Sequence, residues 1–289
     1  MKTSVISFFI LLFLFSGTIR AQEGRRVITQ PRLLDIPQPD RDTLDFSKIR
    51  CIYDQYVATE ITKNPKKKYI NEPMLLQIGG KVSKYMSYTF FCTDSLTLDD
   101  IKNGNNVDIL ETLKSGRYKM GRDQIQLFKN FPSNKNTVQD RIGSGFYSYE
   151  ENIAIPEWKI ENDRDSTILG YSCIRATTTF HGRNYIAWFT PEIPISEGPW
   201  KLSGLPGLIL RAIDDKKEVV FICTGIENVS WEDPIWDNQA KRKNGKTTKE
   251  NFYKQLKRYC DNPSAFRNST AVNSKPAAKI VYNPIELSE

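Results

Sequence analysis

The 289-residue sequence predicts a mainly β, α+β fold built on an antiparallel meander sheet with one or two helices. Three observations predict it. Runs rich in Val, Ile, Thr and aromatic residues recur between residues 50 and 229. Short polar or glycine-bearing turns separate them, which pairs consecutive strands antiparallel. Helical spacing of apolar residues is confined to two stretches.

The front of the chain reads as a leader. Lys2 supplies a positive start, and "VISFFILLFLF" (5–15) is an apolar run suited to a signal peptide and too short to span a bilayer as a helix. Residues 1–21 are therefore expected to be removed, and the product exported to the periplasm or an outer-membrane-associated space. No cysteine directly follows the run, so a lipoprotein is not expected, and no later apolar run is long enough to span a bilayer, so no other stable membrane anchor is expected. Without Lys2 and Arg20 the formal net charge falls from +7 to +5. The basic runs at 66–68 and 241–246 lie among turn formers and read first as solvated loops, which leaves an anionic surface partner open; an exported chain with no nucleic-acid motif is not expected to have nucleic acid as a partner.

Residues 22–48, with prolines, many charges and little periodicity, read as an extended arm. Residues 49–289 carry no composition shift or repeat and form one β-rich domain. "RCIYDQYVATEI" (50–61) alternates as a strand. "PMLLQIGGKVSKYMSYTFFC" (73–92) reads as two strands hinged at Gly79 and Gly80. A helix is expected over 95–116, capped by Asp94 or Thr97 and stopped by Gly116. The meander proper begins at "IAIPEWKIE" (153–161), turns at "NDRD", and runs on through "STILGYSCIRATTTF" (166–180). "HGRN" (181–184) reverses it into "YIAWFT" (185–190). "LILRAI" (208–213), the turn "DDKK" and "EVVFICTGIENV" (218–229) complete it. "TTKENFYKQLKRYC" (247–260) places Phe252, Leu256 and Tyr259 at helical spacing behind Thr248 as cap. "KIVYNPIELSE" (279–289) reads as a short strand and a tail.

Between two meander strands lies "GPWKLSGLPGLILR" (198–211). Pro206 followed by Gly207 suits the central pair of a type II turn, proline fixing φ and glycine accepting positive φ. Trp200, too large to leave in water, either covers the end of the core or lines a cleft.

The segment "GYSCIRATTTFHGRNYIAWFTPEIPISEGPWKLSGLPGLILRA" strongly resembles the GLPGLI protein family, named for the residues Gly204 to Ile209. "IGGKVSKYMS" and the terminal "YNPIEL" are similar to family features as well. The resemblance implies an exported protein of Bacteroidota envelopes, in a family with no catalytic residues or substrate established. Its strand and turn spacing is similar to the half-barrel of periplasmic lipoprotein carriers, a curved sheet around an apolar groove.

Chemistry-bearing motifs are sparse. Five cysteines, Cys51, Cys92, Cys173, Cys223 and Cys260, allow at most two bridges in an oxidising compartment, and buried thiols are as well supported at Cys173 and Cys223. No Cys/His metal pattern or cofactor fingerprint occurs, so no cofactor or metal is expected. His181, the sole histidine, sits at a turn. Carboxylates are available at Asp214, Asp215, Glu192, Glu197 and in "WEDPIWD" (231–237), the last read as buried loop anchors. Asp-Ser/Thr-apolar triplets at Thr43 and Ser95 are weak O-glycosylation signals. Three functions are compatible. The first is a non-catalytic binding protein whose groove, rimmed by Trp188, Trp200, Leu205, Pro206 and Gly207, holds a lipid or apolar peptide segment. The second is an interaction partner of an outer-membrane transporter or assembly machinery, which needs an exposed apolar patch. The third is a secreted hydrolase, which needs two acids converging in a pocket with a strongly shifted pKa.

Overall fold

Two meanders, joined edge to edge, make one open antiparallel sheet. The computed structural model describes residues 41–60, 67–103, 116, 119, 121, 124–230, 232–237, 245–266 and 278–287. The leader and residues 22–40 lie outside the described residues.

The first meander comprises β2 (Ile49–Ala58), β3 (Tyr69–Ile78), β4 (Ser83–Ser87), β5 (Gln126–Lys129), β6 (Lys135–Ile142) and β7 (Gly145–Asn152). The second comprises β8 (Lys159–Ile168), β9 (Tyr171–Phe180), β10 (Arg183–Thr190), β11 (Leu208–Asp214) and β12 (Val219–Asn228). Antiparallel pairing of β12 with β2 joins them, and β14 (Gly245–Lys246) adds in parallel to β7. The resulting order is β14-β7-β6-β5-β4-β3-β2-β12-β11-β10-β9-β8, with β14 and β8 left as edges rather than closing a barrel. The end of the expected N-terminal arm is itself a strand: β1 (Asp42–Phe46) pairs with β13 (Pro234–Asp237) in a separate two-stranded sheet. Pro73 sits in β3 beyond the end of β4, which pairs only from Met74 onward, so its missing N–H breaks no ladder bond to β4.

Three local expectations change. The "NDRD" segment is not a turn: it lies inside β8, where the register with β9 slips twice and the extra residues are absorbed as bulges. The hairpin reverses instead at Leu169 and Gly170, φ 53° and 87°, a two-residue primed turn like that at His181 and Gly182, φ 46° and 78°. The first helix, α1 (Tyr88–Lys102), starts well before Ser95. Its cap is Ser87, whose Oγ accepts the Phe90 N–H at 3.1 Å. Asp94 and Thr97 do other work. Asp94 takes two 2.6 Å bonds from Arg41, and Thr97 Oγ1 donates to the Thr93 carbonyl. The last stretch, 278–287, forms no strand. The second helix, α2 (Lys249–Asp261), follows the expected pattern, with Thr248 Oγ1 accepting from Asn251 N–H at 3.2 Å.

Alternation divides the sheet's residues between two faces. Tyr53, Leu76, Tyr85, Val138, Ala187 and Phe221 belong to one continuous apolar core on the inner face. On the other face, α1 and the β1/β13 pair cover the centre of the sheet, and the cross-strand row Arg50-Gln77-Lys84-Phe128 is buried there. Asp233 takes both Arg50 and Gln77, the latter at 3.1 Å, while Lys84 Nζ donates 2.7 Å to the Trp236 carbonyl. The acids of "WEDPIWD" thus anchor buried partners: Gln139 Nε2 lies 3.2 Å from Asp237.

Burial, only partly offset by Asp94 and Asp237, lowers the Lys84 pKa from 10.5 to about 7. The unfolded chain therefore binds the extra proton between about pH 7 and 10.5, and native stability attributable to Lys84 rises with pH across that window. Relative to Lys84→Met, wild type is expected to gain about 1 kcal/mol per pH unit between about pH 7.5 and 8.5 in urea unfolding. A pH-independent difference would contradict the assignment.

Candidate functional site

The loop between β10 and β11 crosses the inner face and is built from tight local bonds. Ile195 N–H bonds to the Ile193 carbonyl at 2.7 Å and Glu197 N–H to the Ile195 carbonyl at 2.8 Å, so Pro194 and Ser196 each sit at the centre of a γ-turn. The start of β11 ties the loop down through Leu208 N–H to the Ile193 carbonyl and Ile209 N–H to the Glu197 carbonyl. Lys129 Nζ, from β5, reaches Glu197 Oε2 at 2.7 Å and the Gly198 carbonyl at 2.8 Å.

The Pro206-Gly207 step is not a type II turn. The Leu208 N–H that such a turn would direct to Leu205 goes to Ile193, and Gly207 N–H closes a γ-turn onto the Leu205 carbonyl at 2.8 Å. Glycine is required at 207 because a Cβ there would overlap the Thr190 carbonyl oxygen and stand 2.7 Å from its carbon. At Gly204, φ +92° supplies the left-handed backbone that the predicted turn had assigned to Gly207.

Trp200, itself at φ 52°, turns its ring inward. The ring meets Tyr85 edge-on at 6.4 Å, and Nε1 donates to Glu286 Oε1 at 2.8 Å. Glu286 belongs to a C-terminal strap, residues 278–287, that side chains hold in place. Its backbone is tied by Ile280 N–H to the Cys260 carbonyl and Leu287 N–H to the His181 carbonyl, both 2.9 Å. Arg183, buried at the first position of β10, donates to the Ile285 carbonyl at 2.9 Å, the Pro284 carbonyl at 2.7 Å and Asn283 Oδ1 at 2.6 Å. Its remaining contacts are Asp214 at 2.8 Å and Glu218 at 3.2 Å. Asp214 lies at the start of the charged "DDKK" turn, yet it is buried and also accepts the Glu218 and Val219 N–H groups.

Below the strap two lysines and two glutamates interlock. Lys249 Nζ is 2.8 Å from Glu286 and 3.0 Å from Glu151, and Lys201 contacts both glutamates. Burial alone would push the Glu286 carboxyl up; Lys201, Lys249 and His181 outweigh it and hold the group below the usual carboxylate range. Burial is likewise the main influence on His181, lowering its pKa.

Between the inner face of β2, β3 and β6, helix α2 and the strap lies a cavity of about 520 Å³. Phe252, Leu256 and Tyr259 of α2 form one wall, Tyr149 and Trp200 another, and the strap residues from Ile280 to Ile285 close it. Gln55 and Glu72, directly opposite each other on β2 and β3, form a polar end. Tyr85 Oη donates to Gln55 Oε1 at 3.1 Å and Ser87 Oγ to Glu72 Oε1 at 2.6 Å.

Of the five residues expected to rim a groove, only Trp200 lines this cavity. Leu205 is packed in the core, Pro206 is exposed at the γ-turn, and Gly207 lies against Thr190. Trp188 does not line the cavity: it alternates with the core-facing Ala187 and Phe189 and lies half-buried at the margin of the core. Its ring carries the Arg211 guanidinium at 5.0 Å. Sequence reasoning missed Arg183 and the Lys201–Glu286 pairing, whose partners lie some hundred residues apart along the chain. The glycosylation signal at Ser95 falls on a buried hydroxyl bonded to the Phe91 carbonyl, while Thr43 is exposed and accepts from Trp236 Nε1. The five cysteines are thiols. Burial pushes Cys223 up to about 12 and Cys51 well above its ordinary value.

A family model described as a protein of unknown function (Porph_ging) matches residues 181–211. That stretch carries Arg183, Trp200 and Lys201, the residues that grip the strap. No curated protein matches the chain. Among solved structures, PNGF-II in its P21 and C2 crystal forms is similar, with TM-scores of 0.46 and 0.45 and 14% identity in each case. These similarities cover 73% and 72% of this chain but only 33% and 32% of PNGF-II, so the chain spans about a third of that protein's length.

Proposed function

We propose that the chain is an exported envelope protein of the GLPGLI type that binds an apolar ligand, a lipid or apolar peptide segment, in the cavity beneath the strap without transforming it. The observation that carries the reading is the cavity itself. At about 520 Å³ it falls within the roughly 300–1,000 Å³ of small-molecule sites, and aromatic and aliphatic side chains dominate its wall. Leu256→Trp, which fills the space between α2 and the sheet, is expected to weaken binding of a fluorescent long-chain fatty acid at least tenfold with circular dichroism unchanged. Undiminished affinity in that variant would sink the reading.

A second reading, a partner of envelope assembly machinery, draws on a separate feature. Ile153, Ile155 and Ile160 are exposed, Ile155 by 65%, and a Cβ at Gly204 would stand 2.6 Å from Ile155. Hydrolysis gains less. Glu151 and Glu286 do converge, yet both are bridged by the same two lysines and Glu286 is held ionised, the opposite of a general acid.

A further inference from the structure

We infer that the basic stretches beside the exposed end of the cavity, at Ile70, Ile280 and Val281, dock the protein on an anionic lipid bilayer surface. The inference extends the binding reading and rests on it only for what the docked protein would exchange with the membrane.

Two basic pairs far apart in sequence, Lys67-Lys68 and Lys216-Lys217, meet at this rim. Lys67 Nζ, just before β3, donates to the Lys216 carbonyl at 2.6 Å, and Tyr69 Oη donates to the Lys217 carbonyl at 2.7 Å. The strap reaches the same place. Ala58 N–H bonds to the Glu218 carbonyl at 2.8 Å, and Asn283 Nδ2 donates to the Ala58 carbonyl at 3.0 Å. Four of the molecule's exposed large apolar or aromatic residues therefore gather here: Tyr69, Ile70, Ile280 and Val281. Ile70, Ile280 and Val281 also line the cavity, so the apolar rim and the interior are continuous.

Lysines surround this apolar rim. Lys68, Lys216, Lys217 and Lys279 are exposed and Lys67 is half-buried. The acids among them are fewer. Glu60 lies 3.2 Å from Lys68, Glu218 is buried 3.7 Å from Lys67, Asp215 accepts from Asn184, and Asp261 is exposed next to Cys260, whose carbonyl takes the Ile280 N–H. Lysine is depleted at the centre of protein–protein interfaces, which argues against a protein as the occupant. Lysines flanking exposed Tyr and Ile match a bilayer, where ammonium groups meet lipid phosphates and the apolar tips enter the interface.

Each such lysine contributes about fivefold to partitioning onto an anionic surface. The full chain should co-sediment with phosphatidylcholine vesicles containing phosphatidylglycerol, less so as salt rises, and not with phosphatidylcholine alone. Lys216→Gln with Lys217→Gln should reduce that binding at least tenfold. Tyr69→Ser should weaken it while leaving the salt dependence in place. Equal binding to both vesicle types, no binding to the anionic ones, or an unaffected double variant would each overturn the inference. The double variant should still take up the fluorescent fatty acid in the absence of vesicles, because neither lysine lines the cavity. If wild type fails to take up that probe, the cavity reading falls, and the vesicle result alone decides this one.

Discussion

Arg183→Met is expected to destabilise the protein by about 3–5 kcal/mol, the range for breaking a buried ion pair by removing one partner. The substitution strands Asp214, whose side chain is 1% exposed, and removes one of two cations near Glu218. It also withdraws the donors to two strap carbonyls and to Asn283. Arg183→Lys keeps a charge but loses the fork that reaches five acceptors at once, so its cost should fall between wild type and methionine. Urea denaturation measures both. Hydrogen exchange at the Leu287 amide should accelerate in parallel, because its bond to the His181 carbonyl depends on the strap staying seated. A loss below about 1 kcal/mol would mean that the arginine is not the strap's principal clasp.

The second large effect is expected at Gly207. An alanine Cβ there collides with main chain, the Thr190 carbonyl, rather than with a side chain that can swing away. Either β11 or the end of β10 has to move, and both carry core residues, Leu208 and Phe189 among them. Gly207→Ala should therefore cost about 3 kcal/mol, at the upper end of overpacking penalties. Exposed Pro206 provides the contrast. Pro206→Ala should cost only about 0.5–1 kcal/mol, mostly through the entropy of the unfolded chain. Comparable losses for the two variants in thermal or urea unfolding would contradict the close approach as the reason for glycine. On this account the Gly-Leu-Pro-Gly corner is architecture: it sets the start of β11 and thereby holds the loop that presents Trp200 and Lys201.

Local chemistry made much of this legible from sequence. The His181-Gly182 turn, the flanking strands and α2 with its Thr248 cap follow from turn chemistry, alternation and helical spacing. β8 did not, because a polar run that would normally mark a turn is carried inside an edge strand as bulges, while Leu169 adopts positive φ despite its side chain. The start of α1 was hidden for a related reason. "SYTFFC" is aromatic enough to pass as strand, and only its packing of Phe91 against Leu75 and Met86 rewards a helix there. At the site, Trp200 was identifiable by its size alone. The parity of Trp188 could have been read from Ala187 and Phe189, since the tryptophan of an alternating strand cannot share their face. Arg183 carried no local signal: its acceptors are a carbonyl 102 residues away and an acid 31 residues away.

The most direct test of ligand binding beneath the strap is photolabelling of the full chain with a diazirine-bearing palmitate, followed by peptide mapping. Labels concentrated in α2 and residues 278–287, and suppressed by unlabelled palmitate, are the predicted result. Labelling that palmitate does not compete, or that falls on the Trp188 and Arg211 face, would contradict it.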